Sequence, residues 1–342
     1  MSQWVMPAEW AEHERIWMAF PRDGYTVGDE PESRRAAYET WARVANSILE
    51  FEPVSIVVDP SAMALAKELL DPRVKIVEAP LDDFWMRDIG PTFVVNAAGE
   101  LAGVDWTFNG WGANAWALWE RDREIAKTVI DEIGVTHIPS TLVNEGGGIH
   151  VDGEGTVLLT ETVQLDPFRN PYTTKERVEW ELERTIGLKK AIWLPRGLTR
   201  DYGTPGTRGH VDMVACFAKP GTVLLHWQAN PEHPDHALSV ELEKLLKNST
   251  DAAGRKLEVV RVPAPKQLQD EHGWVDFTYI NHLVVNGGVI ACGFGDAEAD
   301  ANAAELLSKA YGRKAVTIDA REVFIRGGGI HCITQQQPKA GR

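Results

Sequence analysis

The chain has 342 residues, 44% of them hydrophobic and 25% charged, with a formal net charge of −15. That length allows two domains or one closed repeat architecture, and the composition is that of a globular protein with a sizeable core. The negative balance argues against nucleic acid and anionic membrane surfaces as partners and suits a small cationic ligand; no run of about 18 apolar residues suggests a membrane span.

In chain order, the opening MSQWVMPAEWAEHERIW lacks the basic patch and apolar stretch of a signal peptide. RIWMAFP at 15–21 reads as a strand, 33–50 as a helix, VSIVVD at 54–59 as a strand, 61–70 as a short helix and VKIVEAP at 74–80 as a strand. Four hairpins follow, each an apolar run broken by a glycine-bearing turn. PTFVV at 91–95 turns at Asn96 to Gly99 into ELAGVDW, and HVD at 150–152 turns at Gly153 to Gly155 into TVLLTE. HVDMVACF at 210–217 turns at Lys219 to Gly221 into TVLLHW, and INHLVV at 280–285 turns at Asn286 to Gly288 into VIACGF. Helices are expected near 116–133, 174–187, 236–248 and 297–311, with closing strands at 135–139, 191–195, 257–263 and 315–319.

Gly155, Gly221 and Gly288 recur at intervals of 66 and 67 residues. The final segment, GGGIHCITQQQ, has no helix of its own, and the first strand and helix of the chain supply one. The expected fold is therefore α/β: one domain over 1–342, a five-bladed α/β propeller of hairpin–helix–strand units, its last blade completed by both termini. The rival, a two-domain doubly wound sheet, would alternate strands and helices without hairpins.

Three cysteines (Cys216, Cys292, Cys332) and no CxxC argue against a disulfide framework and for a reducing, cytoplasmic setting. Gly-Gly-Gly-Ile-His occurs twice, at Gly146 to His150 and Gly327 to His331, followed by Val151 in one copy and Cys332 in the other. Cys216 and Cys292 sit inside apolar runs and read as buried hydrophobes. Cys332 instead follows three glycines and precedes Gln335-Gln336-Gln337. Glycines let backbone amides approach a reacting carbon, and a thiol needs a positive neighbour to ionise.

Polar clusters stand where units begin their hairpins: Trp85-Met86-Arg87-Asp88, Asn144-Glu145, His210-Val211-Asp212 and His331-Cys332. On a strand, i and i+2 share a face, so His210 and Asp212 would point together, as would His150 and Asp152. The spacing leaves open which pair is catalytic. Cys332 with His210, Asp212 and Asp88 could form a Cys/His/Asp constellation. The same residue types include zinc ligands, but no CxxC or HExxH spacing supports a metal site, and neither glycine triplet matches a phosphate-binding loop. Two carboxylates beside a thiol suit a guanidinium, whose forked donors match carboxylates while its central carbon faces the sulfur.

The chain resembles the agmatine deiminases, members of the guanidino-group-modifying superfamily with the pentein fold. The resemblance runs through MPAEWAEHERIWMAFP at 6–21, WMRDIGPTFVV at 85–95, FNGWG at 108–112, NEGGGIHVDGEGTVLLTE at 144–161, GHVDMVACF at 209–217 and GGGIHCITQQQP at 327–338. It implies a hydrolase that converts agmatine to N-carbamoylputrescine and ammonia, a step towards putrescine and the polyamines. It makes Cys332 the covalent nucleophile and His210 the general acid/base. Asp88 and Asp212 would grip the guanidinium, Glu145 would lie beside it or orient His210, and Trp85 and Trp111 would wall the channel. His150 and Asp152 match no catalytic position. The resemblance implies no metal or organic cofactor, and a homodimer is left open.

The chain departs from the family's pattern at Phe20, where Trp is common, at Met213, where Asn is, and at Ala113-Asn114, where Gly and Lys are usual. Gly329 stands where Asn commonly precedes Ile-His-Cys. These departures bear on substrate identity more than on reaction type. Another small guanidino compound, an amidinotransferase reaction on the same thiol, and a non-enzymatic binding ring are the alternatives.

Overall fold

The computed structural model describes residues 4–341. Five sheets repeat one pattern, an antiparallel pair whose inner strand takes a further strand in parallel. Thr92–Asn96 pairs antiparallel with Leu101–Thr107, which pairs parallel with Thr136–Val143; Trp4–Val5 adds to the outer edge. Ile149–Val151, Thr156–Thr160 and Lys190–Leu194 form the second sheet in the same sense. Ala215–Lys219, Thr222–Trp227 and Glu258–Pro263 form the third, and Leu283–Val285, Gly288–Gly293 and Lys314–Asp319 the fourth.

The fifth sheet joins the two ends of the chain. Thr334–Pro338 lies antiparallel to His13–Ala19, which pairs parallel with Val54–Val58, and that strand with Lys75–Glu78. Trp17 is fully buried there, and its indole N–H donates to Gln337 Oε1 at 2.8 Å. Parallel pairing needs a crossover of a dozen or more residues. Pro31–Ile48, Ile125–Ile133, Lys175–Ile186, Asp235–Lys247 and Ala297–Tyr311 lie in those crossovers. Their ends are written in the sequence: Pro31 opens the first helix, Thr174 and Asp296 cap two N-termini, and Gly187 and Gly312 close C-termini in the left-handed conformation.

Two expectations need correction. HVDMVACF is not one strand: Val211–Met213 is a single turn of 3-10 helix, and the strand begins at Ala215. His210 and Asp212 therefore do not share a strand face. The helix expected near 116–133 is confined to a short turn at Asp122–Glu124 and Ile125–Ile133, because 110–121 is spent bringing Trp111 and Trp116 inward. Cys216 and Cys292 lie buried in strands, as their apolar neighbours require, and burial pushes the Cys292 thiol up to about 12.

Candidate active site

The polar clusters meet around Gly147, in the first glycine triplet. A side chain there would place its Cβ 2.5 Å from His210 Nδ1 and 3.1 Å from both Asp212 Oδ2 and Asp88 Oδ1. Only glycine leaves that space open. The Gly147 N–H itself donates to Asp88 Oδ1 at 3.1 Å. Asp88 is presented by the short helix Met86–Ile89, whose Arg87 N–H donates to the carbonyl of Cys332 at 3.0 Å.

Trp111 completes the grip on Asp88, donating its indole N–H to Oδ2 at 2.8 Å. Gly110, Trp111, Gly112 and Ala113 all carry positive φ, at 67°, 58°, 93° and 53°. A non-glycine residue held there costs on the order of 1–3 kcal/mol, the kind of strain found at functional sites. The ring of Trp111 stacks on Trp116, with centroids 5.4 Å apart. Trp85 donates to Asp83 Oδ2 at 3.1 Å. With Asp88, Thr207 and Cys332 these tryptophans line a narrow pocket of about 20 Å³. A larger, more open groove beside Thr141, Arg177 and Trp180 touches Arg169 but not Cys332, His210 or Asp88.

His210 is buried, with Nε2 3.2 Å from Glu145 Oε2. Glu145 in turn takes two bonds from Arg169 Nε, at 3.0 and 3.1 Å. Burial works against the Glu145 charge, but Arg169 and His210 outweigh it and hold the carboxyl at about 2. Burial also opposes charge on His210, yet Asp88, Glu145 and Asp212 raise it to about 9. Asp88, buried beside Glu145 and Asp212, is pushed up to about 6.

Cys332 lies on the other side of this cluster, its Sγ 3.6 Å from Asp212 Oδ2. Burial, Asp212 and Asp88 all push its thiol well above the ordinary range. Among the buried side-chain atoms without a hydrogen-bond partner are two of this cluster, His210 Nδ1 and Asp212 Oδ1. Buried polar atoms left unpaired are costly, so the pair marks where a bound molecule would place a donor and an acceptor.

The two copies of the repeated pentapeptide converge on one residue that sequence reasoning missed, Glu9. His331 is 2.7 Å from Glu9 Oε1 through Nε2 and 2.8 Å from Asp212 Oδ2 through Nδ1. His150 Nε2 stands 3.6 Å from Glu9 Oε2, and Arg87 Nη1 lies 3.6 Å from Oε1. Burial and Arg87 oppose charge on His331, but Glu9 and Asp212 outweigh them and raise it. His331 thus holds Asp212 ionised, below the usual carboxylate range despite its burial. Asp152 serves the hairpin turn, accepting the N–H groups of Glu154 and Thr156.

Arg169 and Asn281 were also missed. Arg169 lies in a loop, DPFRNP, with no motif around it; Asn281 sits where the sequence suggested the start of a strand. The departures fall unevenly around the site. Phe20 is core, stacked on Tyr38. Met213 and Gly329 both border Asn281, which touches Cys332. Asn114 donates to the Trp111 carbonyl and accepts from Arg208. Among the described residues, no three His, Cys, Asp or Glu side chains are placed to hold a metal ion, and no helix is long and apolar enough to cross a membrane.

The mixed α/β fold thus brings a buried thiol beside Asp212 and lines it up with Asp88 and an aromatic wall in one pocket. The chain belongs to the family described as Porphyromonas-type peptidyl-arginine deiminases, whose sequence profile matches residues 5–338. It is similar to a Streptomyces coelicolor protein provisionally named agmatine deiminase, 56% identical over 98% of each chain. The agmatine deiminase of Stutzerimonas stutzeri is 39% identical, over 98% of this chain and 95% of the other. A solved structure of the Enterococcus faecalis agmatine deiminase superposes with a TM-score of 0.92 at 33% identity, covering 98% of this chain and 96% of that one.

Proposed function

We propose that the protein hydrolyses agmatine to N-carbamoylputrescine and ammonia, acting on a C–N bond of a linear amidine, with Cys332 as the attacking group. The observation that carries the residue assignment is the convergence of His210, Asp212 and Asp88 around Gly147, with Cys332 Sγ 3.6 Å from Asp212. Supporting the substrate are the agmatine deiminases to which the chain is similar along its whole length.

Asp88 and Asp212 grip the guanidinium nitrogens, with Trp111 and Trp85 as walls of the channel. The cation's arrival offsets the two carboxylates, and the thiol gives up its proton to solvent. The thiolate attacks the guanidinium carbon, and protonated His210 gives its proton to the departing nitrogen, which leaves as ammonia. A cationic S-alkylthiouronium remains on Cys332. Neutral His210 then takes a proton from water; the hydroxide adds to the same carbon, and the C–S bond breaks. The second water proton returns the sulfur to a thiol, and a ureido product departs. Glu145, anchored by Arg169, orients His210 rather than touching substrate.

The recurring pattern of five sheets supports a single-domain five-bladed ring, completed where the terminal strands pair. The reading takes the cytoplasm as the setting and needs no cofactor, and it leaves a homodimer open. The test is direct: purified protein given agmatine releases ammonia and N-carbamoylputrescine in equal amounts. Ammonia from another guanidine only would shift the substrate. Consumption of ornithine or glycine without ammonia would replace hydrolysis by amidine transfer, and no activity on any guanidine would overturn the reading.

A further inference from the structure

The thiol of Cys332 is surrounded by groups hostile to its ionisation, and one side chain outside the expected set is placed to counter them. Asn281 is fully buried, just before the strand Leu283–Val285. Its Oδ1 accepts two backbone N–H groups, from His331 at 3.0 Å and Cys332 at 3.3 Å. Those two bonds fix which end of the amide is oxygen, because the NH2 end could not accept either. The NH2 lies nearer the sulfur, with Nδ2 3.2 Å from Cys332 Sγ, while the thiol can donate to Oδ1 at 3.5 Å until it ionises. It also faces Met213 Sδ at 3.3 Å and the Asp212 carbonyl at 3.4 Å.

Gly329 protects this arrangement. A Cβ there would come within 2.4 Å of Asn281 Oδ1 and 2.7 Å of Phe324. With no side chain at position 329, the room that this carboxamide fills stays open.

We propose that Asn281 is a catalytic residue: its side-chain N–H stabilises the Cys332 thiolate during attack and again as the sulfur leaves the thiouronium carbon. The donor is aimed before any substrate arrives, so it needs no rearrangement at the moment charge develops. This rests on the thiol reading above, and its experiment separates the two.

Asn281→Asp keeps an oxygen for the His331 and Cys332 amides but removes the donor to sulfur. Loss of one preorganised donor typically costs on the order of 10²-fold in rate. The variant is expected to lose about that much in kcat on agmatine, with KM changed far less. Alkylation of Cys332 by iodoacetamide is expected to need higher pH than in the unsubstituted protein. Asn281→Ser, which offers a smaller group, serves if the Asp variant does not fold, and is read by the same alkylation profile. The Asp carboxylate adds a charge of its own beside the sulfur, so the neutral Asn281→Ser variant decides: an alkylation profile unchanged in that folded variant would overturn the proposal, whether or not kcat falls or the Asp variant shifts. If the unsubstituted protein releases no ammonia from any guanidine, the functional reading fails, while the alkylation comparison still decides the part played by Asn281.

Discussion

Burial and the carboxylates of Asp212 and Asp88 act against a thiolate at Cys332, while a thiolate needs a positive neighbour. On the proposed reading the substrate brings that charge, so the nucleophile is armed only when a guanidinium lies between the aspartates. The pH dependence follows from two flanking groups. Asp88, pushed up to about 6 by burial and its acidic neighbours, grips a cation only once ionised. His210, raised to about 9, gives a proton to the leaving nitrogen only while it still holds one. The profile of kcat/KM on agmatine is expected to climb with pH, as Asp88 and then the thiol must each lose a proton, and to stop climbing at about 9, where His210 loses the proton it must donate. In Asp88→Asn the inflection at about 6 is expected to vanish, with a loss on the order of 10²-fold, since one side of a buried charge pair is gone. An inflection at about 6 that persists in that variant would remove Asp88 from the account.

Among the elements, the loops carry the site and the regular structure aims them. Hairpins and crossover helices were readable because alternation, helical periodicity and caps are local: Thr174 with Gly187, or Asp296 with Gly312, mark their helices within a few residues. Cys332, Asp88, Asp212, His210 and Glu145 were readable because each sits in a distinctive polar cluster. Glu9, Arg169 and Asn281 were not, since their importance lies in contacts made across the fold. Glu9 reaches His331, and Asn281 reaches Cys332, over separations of 322 and 51 residues. The strand drawn through His210 and Asp212 failed for a related reason: the 3-10 turn at Val211–Met213 turns them towards Gly147. That glycine gives a test at this scale. Gly147→Ala would drive a methyl against His210, Asp212 and Asp88 at once. A misplacement near 1 Å can cost on the order of 10²-fold, so kcat/KM on agmatine is expected to fall about that far although every ionisable group remains. Near-normal kcat/KM would mean that these three side chains do not act as one constellation.

Across the whole molecule, the two ends of the chain hold each other and the site together. The Gln335-Gln336-Gln337 run, polar and seemingly exposed by composition, is buried and each amide reaches a different segment. Gln335 donates to the Pro91 carbonyl, Gln336 accepts from Arg87, and Gln337 accepts from Trp17. Gln337→Leu would leave the Trp17 N–H buried without a partner, a loss of about 1–3 kcal/mol. Urea unfolding is expected to move to a lower midpoint by that amount with the slope unchanged, and an unmoved midpoint would show that the terminal pairing is incidental to stability. The strand that makes this closure begins two residues after Cys332, so the same pairing that joins the ends also fixes the place of that thiol.

The central claim is that carbon is passed through sulfur, and intact-mass spectrometry of protein quenched during agmatine turnover tests it most directly. The expected result is a species heavier by agmatine less ammonia, with peptide mapping placing the added mass on Cys332 and none of it forming in Cys332→Ala. Full turnover without any such species, or ammonia release that survives Cys332→Ala, would contradict the account.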